Sequence, residues 1–184
     1  MDRKKKNIVE LTRISAGDYR EMPKLPLAVM ADNVRSMYNI GSLFRVSDAF
    51  KVEEIILAGI SGRPPHPEIS KTALGAEDTV SWHWVPDAVE CVRDMQREGW
   101  KVCVLEQTHN SIDLDDFAPE PGMRYLLVAG NEVNGVDQRI VDMADTVLEI
   151  PQYGTKHSLN VASSASIAIY AITRRLSAAL KKDN

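Results

Sequence analysis

The stretch "IPQYGTKHSLNVASSASIAIY", residues 150–170, carries an interrupted loop directly into a long helical pattern. Ser158 and Asn160 can accept hydrogen bonds from the free N–H groups at the start of that helix. One face of the predicted helix is apolar at helical spacing, through Val161, Ala165, Ile169, Ile172, Leu176 and Leu180. The remaining surface is largely Ala and Ser, and such small side chains let neighbouring backbones pack closely. The stretch is either a functional loop before a tightly packed helix or simply a capped helix under a sheet.

Short apolar runs alternate with longer amphipathic segments along the rest of the chain. The predicted strands are 27–31, 54–59, 80–85, 101–106, 125–130 and 146–150. The predicted helices are 40–50, 86–98, 136–143 and 161–180. Several strands are apolar at consecutive positions, as parallel strands buried on both faces are. The pattern predicts an α/β fold with a mostly parallel sheet flanked by helices, in which ligands bind beyond the carboxyl ends of the strands.

The sequence predicts one domain with a short extension before it. The first 25 residues are polar and end at two prolines, Pro23 and Pro26, which mark a boundary before the first strand. We therefore predict an N-terminal extension at 1–25 and a single domain at 26–184. A length of 184 residues is enough to bury a sizeable core.

The composition is typical of soluble globular proteins. Hydrophobic residues make up 44% of the chain and charged residues 26%, as is usual in that class. No apolar run approaches the length of a membrane span, and the charged N-terminus lacks the apolar core of a secretory signal. We expect a cytoplasmic protein that does not cross a membrane, with its two cysteines, Cys91 and Cys103, reduced.

The net charge of −4 argues against nucleic-acid binding through overall charge. It leaves room for a local basic patch. The candidates are the basic residues at 3–6, 174–175 and 181–182. The simpler alternative is that both ends of the chain are solvated and bind nothing.

A first candidate loop follows the first predicted strand, in "ADNVRSMYNIGSLFRVSDAF", residues 31–50. Asn39 can cap the helix that follows it. Gly41, Arg45 and Asp48 fall on one helix face, so we expect Gly41 to leave open space one turn before Arg45. A guanidinium at that position can bind a phosphate or carboxylate through two hydrogen bonds. The alternative is an ion pair between Arg45 and Asp48 on the same helix.

A second candidate loop follows the fifth predicted strand, in "LLVAGNEVNGVDQRI", residues 126–140. Gly130 would allow a ligand to approach the backbone closely. Glu132 lies at a strand end, where its carboxylate can accept hydrogen bonds, and Gly135 belongs to a turn before the next helix. The alternative is a plain strand–turn–helix connection with Glu132 in water.

Several common functional motifs are absent from the sequence. It contains no GxGxxG after a strand and no GxxxxGK[ST], so neither dinucleotide-fold nor P-loop phosphate binding is supported. The four histidines show no metal-ligand spacing with each other or with cysteine, and there is no GxSxG turn. We therefore predict no metal site.

Taken together and in order, the three loops resemble the three motifs of the SpoU/TrmH family, within the SPOUT class of S-adenosylmethionine-dependent RNA methyltransferases. The first motif corresponds to Asn39, Gly41 and Arg45. The second corresponds to Gly130, Glu132 and Gly135. The third corresponds to Ile150, Pro151, Gly154, Ser158, Leu159, Asn160 and Val161. The resemblance covers about residues 26–176.

The resemblance implies a particular fold and assembly. Members of the family have an α/β knot, in which the C-terminal segment threads a loop to form a deep trefoil. Carried over to this sequence, the knot spans residues 126–160 and the crossing loop spans 151–158. Family members are also dimers with active sites near the subunit interface, so a homodimer is expected.

The resemblance also implies a cofactor, S-adenosylmethionine, held bent in the knot mainly by backbone groups. The implied cofactor-binding residues are Gln107, Thr108, Gly130, Gly135, Ile150, Gly154 and Leu159. The implied reaction is methyl transfer to a ribose 2′-hydroxyl of RNA. Arg45 would either help to remove the hydroxyl proton or stay charged and stabilise the developing oxyanion. Asn39, Glu132, Ser158 and Asn160 would orient Arg45 and the loops.

Three hypotheses therefore follow from the sequence. The first is an RNA 2′-O-methyltransferase, with tRNA slightly favoured over rRNA because the chain is short. The second is a non-catalytic knot protein that binds RNA or a partner and keeps the cofactor pocket. The third is a methyltransferase that acts on a small molecule or a protein.

Overall fold

The computed structural model describes residues 3–7, 10–11 and 14–180. At its centre is a seven-stranded sheet in which every pairing is parallel. Its strands are β1 (Leu25–Asp32), β2 (Val52–Ala58), β3 (Ser81–Val85), β4 (Trp100–Leu105), β5 (Ile112–Asp113), β6 (Arg124–Ala129) and β7 (Thr146–Glu149). Their order across the sheet is β3-β2-β1-β6-β4-β7-β5.

Six α-helices flank this sheet in the described part of the chain. They are α1 (Ala16–Glu21), α2 (Met37–Ala49), α3 (Pro67–Ala73), α4 (Ala88–Arg97), α5 (Gln138–Met143) and α6 (Val161–Leu180). The α/β prediction is confirmed, and each predicted strand and helix is present within a few residues of its expected bounds. The predicted starts of two helices were wrong because a different residue caps each helix. Ser36 caps α2, which begins three residues earlier than predicted, and Asp87 caps α4, which begins two residues later.

The sheet is buried on both faces, as its runs of consecutive apolar residues predicted. Alternate residues of β1 point to opposite sides, so Leu27 and Val29 pack in one apolar cluster and Ala28 and Met30 in the other. Helices α2, α3 and α6 cover the first side, and α4 and α5 cover the second. Because the helices cover the two faces of the sheet, the carboxyl ends of the strands are bordered by loops.

Both cysteines are free thiols inside this frame. Burial raises the pKa of Cys103 to about 12 and that of Cys91 to about 11, so both thiols stay protonated near neutral pH. None of the helices in the described part of the chain is long and apolar enough to span a bilayer. Of the predicted basic ends, Lys181 and Lys182 lie outside the described residues.

Helix α1, before β1, is attached to the domain through Tyr19 and Arg20. The ring of Tyr19 in α1 is buried, and its hydroxyl donates a hydrogen bond to the carbonyl oxygen of Asp48 (2.8 Å). The guanidinium of Arg20 donates to the carbonyl oxygen of Asp78 (2.7 Å). Part of the predicted extension therefore packs against the domain.

The expected open space at Gly41 does not exist. A β-carbon there would lie 2.0 Å from the hydroxyl oxygen of Thr72 and 2.3 Å from the carbonyl oxygen of Ile69, both in α3. Gly41 is a glycine because α2 and α3 touch at this point. The sequence could show that the position is small but could not show which element uses the space.

We expect Gly41→Ala to lower the free energy of unfolding by about 2 kcal/mol, because the new methyl group must push α3 away. Gly17→Ala in α1 is the matched control. A β-carbon at Gly17 has only the Ser15 hydroxyl oxygen as a neighbour, at 3.8 Å, so the gain in helix propensity should leave stability unchanged or slightly higher. Denaturant unfolding measures both, and equal stability of the two variants would contradict the close contact of α2 with α3.

Candidate active site

A cleft of about 540 Å³ lies where the carboxyl ends of β4, β6 and β7 meet. Three segments line it: the end of β4, the loop between β6 and α5, and the segment between β7 and α6. These segments meet because β4 pairs with β6 on one side and with β7 on the other. The cleft therefore occupies the place where ligands bind in open parallel sheets.

The loop after β6 is closed on itself by the side chain of Asn131. Its amide oxygen accepts hydrogen bonds from the backbone N–H groups of Val133 (3.1 Å) and Asn134 (2.9 Å). The backbones of Asn131 and Gly135 also bond to each other in both directions at 3.1 Å. Gly135 has a φ of +67°, a conformation that favours glycine. These contacts hold the loop in one compact shape.

Gly130 permits the same loop to fold back over the end of β6. A β-carbon at Gly130 would lie 2.0 Å from the carbonyl carbon of Gly135 and 2.2 Å from the nitrogen of Val136. The sequence predicted that a ligand would approach this glycine closely. The group that does so within the chain is the backbone of the loop itself, which makes Gly130 a determinant of the cleft's shape.

Glu106 joins two walls of the cleft. One carboxylate oxygen accepts the backbone N–H of Gln107 (2.9 Å), and the other accepts that of Val136 (3.2 Å). A β-carbon on Gly135 would lie only 2.1 Å from that second oxygen. The side chain of Gln107 donates to the carbonyl oxygen of His157 (3.1 Å). The end of β4 is thereby fixed to both of the other lining segments.

Asn39 links residues from all three predicted motifs. Its side-chain nitrogen donates to a carboxylate oxygen of Glu132 (2.5 Å), and its side-chain oxygen accepts from the amide of Asn160 (3.2 Å). The sequence predicted that Asn39 caps α2, and this was wrong. Ser36 is the cap, and its hydroxyl accepts the backbone N–H of Asn39. The amide group is therefore free to bridge two loops that are distant in sequence.

Asn160 serves α6 and the bridge at the same time. Its amide oxygen accepts the backbone N–H groups of Ala162 (3.0 Å) and Ser163 (3.2 Å), which caps the helix. Its amide nitrogen binds Asn39. Of the two predicted capping residues Asn160 is the one that caps, while Ser158 is exposed and lines the cleft.

Asp32, the last residue of β1, forms hydrogen bonds to the loop after β1 and to the residue before α5. It is 1% exposed, and its carboxylate accepts the backbone N–H of Asp137 (2.9 Å) and the side-chain amide of Asn33 (2.7 Å). Burial raises the pKa of this carboxyl above its usual range, while the two hydrogen bonds oppose the shift. Asp32 thus ties the loop after β1 to the start of α5, beside the cleft.

The structure brings most of the predicted site residues to one place. Those that line the cleft are Gln107, Gly130, Glu132, Gly135, Ile150, Ser158, Leu159 and Asn160. Asn39 joins them through its two side-chain hydrogen bonds. Thr108 and Gly154 do not line the cleft, and a β-carbon on Gly154 would meet nothing within 4 Å.

Arg45 lies apart from the cleft of its own chain. It is exposed on α2, and no other described residue forms an ion pair or hydrogen bond with it. The alternative pairing with Asp48 is not formed, because a carboxylate oxygen of Asp48 accepts the hydroxyl of Thr79 (2.7 Å). The guanidinium is available to a group from outside the chain.

Sequence reasoning assigned no individual role to three residues that organise the site: Asp32, Glu106 and Asn131. Asp32 and Glu106 are charged residues at or just after the end of an apolar strand, where a carboxylate needs a local partner. Asn131 is followed by a Gly-containing turn, a pattern typical of side-chain-to-backbone bonds. These signals were present, but each is equally typical of a solvated loop residue.

The charges of the cleft favour a cationic ligand over a phosphate. Its lining includes the carboxylates of Glu106, Glu132 and Glu149, and no lysine or arginine is among the lining residues that the structure describes. Glu149 accepts the hydroxyl of Ser111 (2.6 Å). A ligand with a positive charge and hydrogen-bond donors suits this surface better than a phosphate.

Curated proteins of similar sequence are RNA methyltransferases by name. The chain is 26% identical over 153 residues to the 23S rRNA (guanosine-2'-O-)-methyltransferase RlmB of Ralstonia nicotianae, which covers 83% of this chain and 60% of the relative. It is 28% identical over 172 residues to RlmB of Vibrio parahaemolyticus, and the matched region covers 92% of this chain and 68% of the relative. The chain thus spans about three fifths of the first of these relatives.

Solved structures of the same kind share the fold. The A. aeolicus TrmH/SpoU tRNA modifying enzyme superimposes with a TM-score of 0.77 at 26% identity, covering 87% of this chain and 80% of that one. The methyltransferase AviRb of Streptomyces viridochromogenes, in complex with AdoMet, has a TM-score of 0.72 at 26% identity, with coverages of 86% and 60%. Residues 26–170 match the SpoU rRNA Methylase family, and the chain belongs to that family.

Proposed function

We propose that this protein transfers a methyl group from S-adenosylmethionine to a ribose 2′-hydroxyl of RNA. The observation that carries the proposal is the hydrogen-bonded bridge of Asn39, Glu132 and Asn160 at the cleft. It joins three loops whose residues match the three family motifs, and relatives of the chain are named as RNA 2′-O-methyltransferases.

The cleft fits S-adenosylmethionine in size and in charge. Its volume of about 540 Å³ lies in the range of small-molecule sites. Gly130 and Gly135 belong to one wall, and Ile150 and Leu159 belong to another. The carboxylates at the cleft suit the cationic sulfonium and ammonium groups. AviRb, of similar structure, was solved with this cofactor. Thr108 and Gly154 contribute to the site only if the loops move.

When bound, the cofactor supplies a methyl group already activated on a sulfonium. The chain's own task is to place the ribose hydroxyl in line with that group. Glu132, Asn39 and Asn160 hold the cleft mouth in register, with Ser158 beside them. Arg45 stays charged and stabilises the negative charge that develops on the ribose oxygen.

We infer two finer features of the fold, the C-terminal trefoil knot and a homodimer. The knot is supported by β6 lying between β1 and β4, and by the segment 150–160 passing the loop after β6 on its way to α6. The homodimer is supported by an outward apolar face of α6, where Ile167 is 43% and Tyr170 53% exposed. A dimer would let Arg45 of one subunit serve the cleft of the other.

Substrate class and location stay predictions. Similar proteins include enzymes named for 23S rRNA and one named for tRNA, so the slight preference for tRNA is undecided by them. A cytoplasmic location is expected because RNA substrates are found there. The division into residues 1–25 and 26–184 is likewise retained as a proposal.

We expect calorimetry to show S-adenosylmethionine binding and labelled methyl groups to pass to RNA. Bulk tRNA and rRNA are tested separately, and digestion to nucleosides should yield 2′-O-methylated products. Absence of cofactor binding would contradict the proposal. Binding with no transfer to any RNA would support the non-catalytic alternative, and methylation of a base would exclude ribose chemistry.

Gly130→Ala should weaken cofactor binding at least about 10-fold, because its methyl group displaces the loop after β6 at a cost of more than about 1.4 kcal/mol. Gly17→Ala in α1 is the matched control, since Gly17 does not line the cleft and a β-carbon there has the Ser15 hydroxyl oxygen as its neighbour at 3.8 Å, and its affinity should stay within about 2-fold of the parent. Calorimetry decides. Equal losses in the two variants would show that the cleft is shaped in another way.

Arg45→Ala should lower methyl transfer at least about 100-fold while leaving cofactor affinity nearly unchanged, because it removes charge stabilisation only. The dimer proposal adds a mixing test with Gly130→Ala, which keeps Arg45 but binds the cofactor weakly, at a cofactor concentration too low to load that variant. Mixed dimers should then be more active than either variant alone, since one of their two sites is intact.

Sedimentation of the parent and of the mixture provides the control for that test. An active monomer, or no recovery in mixtures shown to contain mixed dimers, would place Arg45 in the site of its own chain. A large loss of cofactor affinity in Arg45→Ala would instead make Arg45 a cofactor-binding residue.

A further inference from the structure

An exposed aromatic ring and an exposed aliphatic side chain lie at the carboxyl edge of the sheet, away from the cleft. Trp84, near the end of β3, is 41% exposed, and Ile60, just after β2, is 58% exposed. Neither side chain belongs to the cleft lining. They follow adjacent strands, since β3 pairs with β2. The two residues need an explanation because large apolar groups on a surface often mark binding sites.

The indole ring of Trp84 is held in place. Its ring N–H donates a hydrogen bond to the carbonyl oxygen of Gly59 (2.9 Å). The guanidinium carbon of Arg63 lies 4.8 Å from the ring centroid, within the range of a cation–π contact. A fixed, part-exposed ring beside an arginine is the arrangement on which nucleic-acid bases stack in single-strand-binding proteins.

The loops that carry these residues are tied together by short-range bonds. The backbone N–H of Ile60 donates to the side-chain oxygen of Asn33 (3.2 Å), and that of Gly62 donates to the carbonyl oxygen of Val34 (3.0 Å). The hydroxyl of Ser61 accepts the backbone N–H of Val34 (2.9 Å). The loops after β1 and β2 therefore form one unit, which places Arg35 on the same edge as Arg63.

Two cations of this edge have no carboxylate partner among the described residues. Arg35 is exposed and forms no ion pair or hydrogen bond with any part of the chain that the structure describes. Arg63 likewise forms no ion pair or hydrogen bond in that part, and its guanidinium lies over the Trp84 ring. The arginines and lysines on other surfaces that pair with a carboxylate are Arg97, Lys101, Arg124, Arg139 and Arg175. Arg45 and Arg93 also lack such a partner among the described residues, but they lie on α2 and α4 and not at this edge.

Two carboxylates near this edge accept hydrogen bonds from groups other than Arg35 and Arg63. Asp32 accepts the backbone N–H of Asp137 and the amide of Asn33. Asp87 accepts two backbone N–H groups as the cap of α4. The positive charge of Arg35 and Arg63 is therefore left for a polyanion, although the chain as a whole carries −4.

This edge leads towards the cleft. The strands lie in the order β3, β2, β1, β6, and the cleft begins at the end of β6. Three inter-strand spacings amount to about 14 Å, a distance that a few nucleotides can cross. The loop after β1, with Arg35, lies on that path.

We propose that Arg35, Ile60, Arg63 and Trp84 form a binding track for single-stranded RNA that flanks the modified nucleotide. A base stacks on Trp84 against Ile60, and Arg35 and Arg63 bind the phosphates that run from it towards the cleft. The proposal rests on the proposed function for its choice of RNA as the occupant, and names how a chain of negative net charge holds that RNA.

Fluorescence anisotropy with short labelled oligouridine and oligoadenine tests the track directly. Trp84→Ala should weaken binding about 5- to 100-fold, the range expected for losing one stacked base. Trp84→Phe should restore most of that loss because it keeps a ring, although it lacks the indole N–H. Arg35→Ala and Arg63→Ala should each reduce the salt dependence of binding by about 0.7 in logarithmic slope.

Arg93→Ala is the matched control. Arg93 is exposed on α4, on another surface, so this variant loses the same charge without touching the track. It should bind RNA as the parent does, and all variants should bind S-adenosylmethionine as the parent does in calorimetry.

Unchanged RNA affinity in Trp84→Ala and Arg35→Ala, or an equal loss in Arg93→Ala, would overturn the track. A change of oligomeric state in Trp84→Ala, seen by sedimentation, would assign the surface to a subunit contact instead. The proposed function fails separately, through absent cofactor binding or absent methyl transfer by the parent protein. If the parent protein binds RNA but transfers no methyl group, loss of RNA binding in the track variants would still support the track.

Discussion

The site depends on one amide group, the side chain of Asn39. It donates to Glu132, 93 residues away, and accepts from Asn160, 121 residues away. A carboxylate in its place would lose the donor and an apolar residue would lose both bonds, so an amide is what the position requires. Since Asn160 also caps α6, the geometry passes from α2 through the bridge into the last helix. Two loops that share no sequence proximity are thus held in fixed register.

The second constraint is the lack of space around Gly130 and Gly135. The first glycine lies against the backbone of the second, and the second lies against the carboxylate of Glu106. Each contact excludes a side chain, so the wall of the cleft at this loop is backbone held by one acidic side chain. In the proposed function, such a wall would recognise the ligand by shape and by peptide groups, while the carboxylates of the cleft would favour its positive charge.

The sequence predicted what local patterns determine and failed where distant partners decide. Strands such as 125–130 were predicted because an apolar run needs two covered faces. Asn39 was predicted to cap α2, because capping is the local use of asparagine, yet Ser36 three residues earlier takes that role. The contact of Gly41 with α3 could not be predicted because α3 itself was not. Helix α3 (Pro67–Ala73) has only two buried residues, too few to show a helical pattern in the sequence. Arg45 was identified by its motif, but the sequence could not show that it has no ion pair or hydrogen bond among the described residues.

Net charge is another property of the sequence that does not show where groups lie in the fold, and this bears on how RNA would be bound in the proposed function. Electrostatic effects between exposed groups decay over about 8 Å at physiological ionic strength, so acidic residues on remote faces hardly affect the carboxyl edge of the sheet. What matters there is which cations keep an uncompensated charge. Arg97 and Arg124 are neutralised by adjacent carboxylates, whereas Arg35 forms no such pair among the described residues. In the proposed binding track, an acidic protein would attract a polyanion through the placement of its unpaired arginines, and that placement is set by the fold.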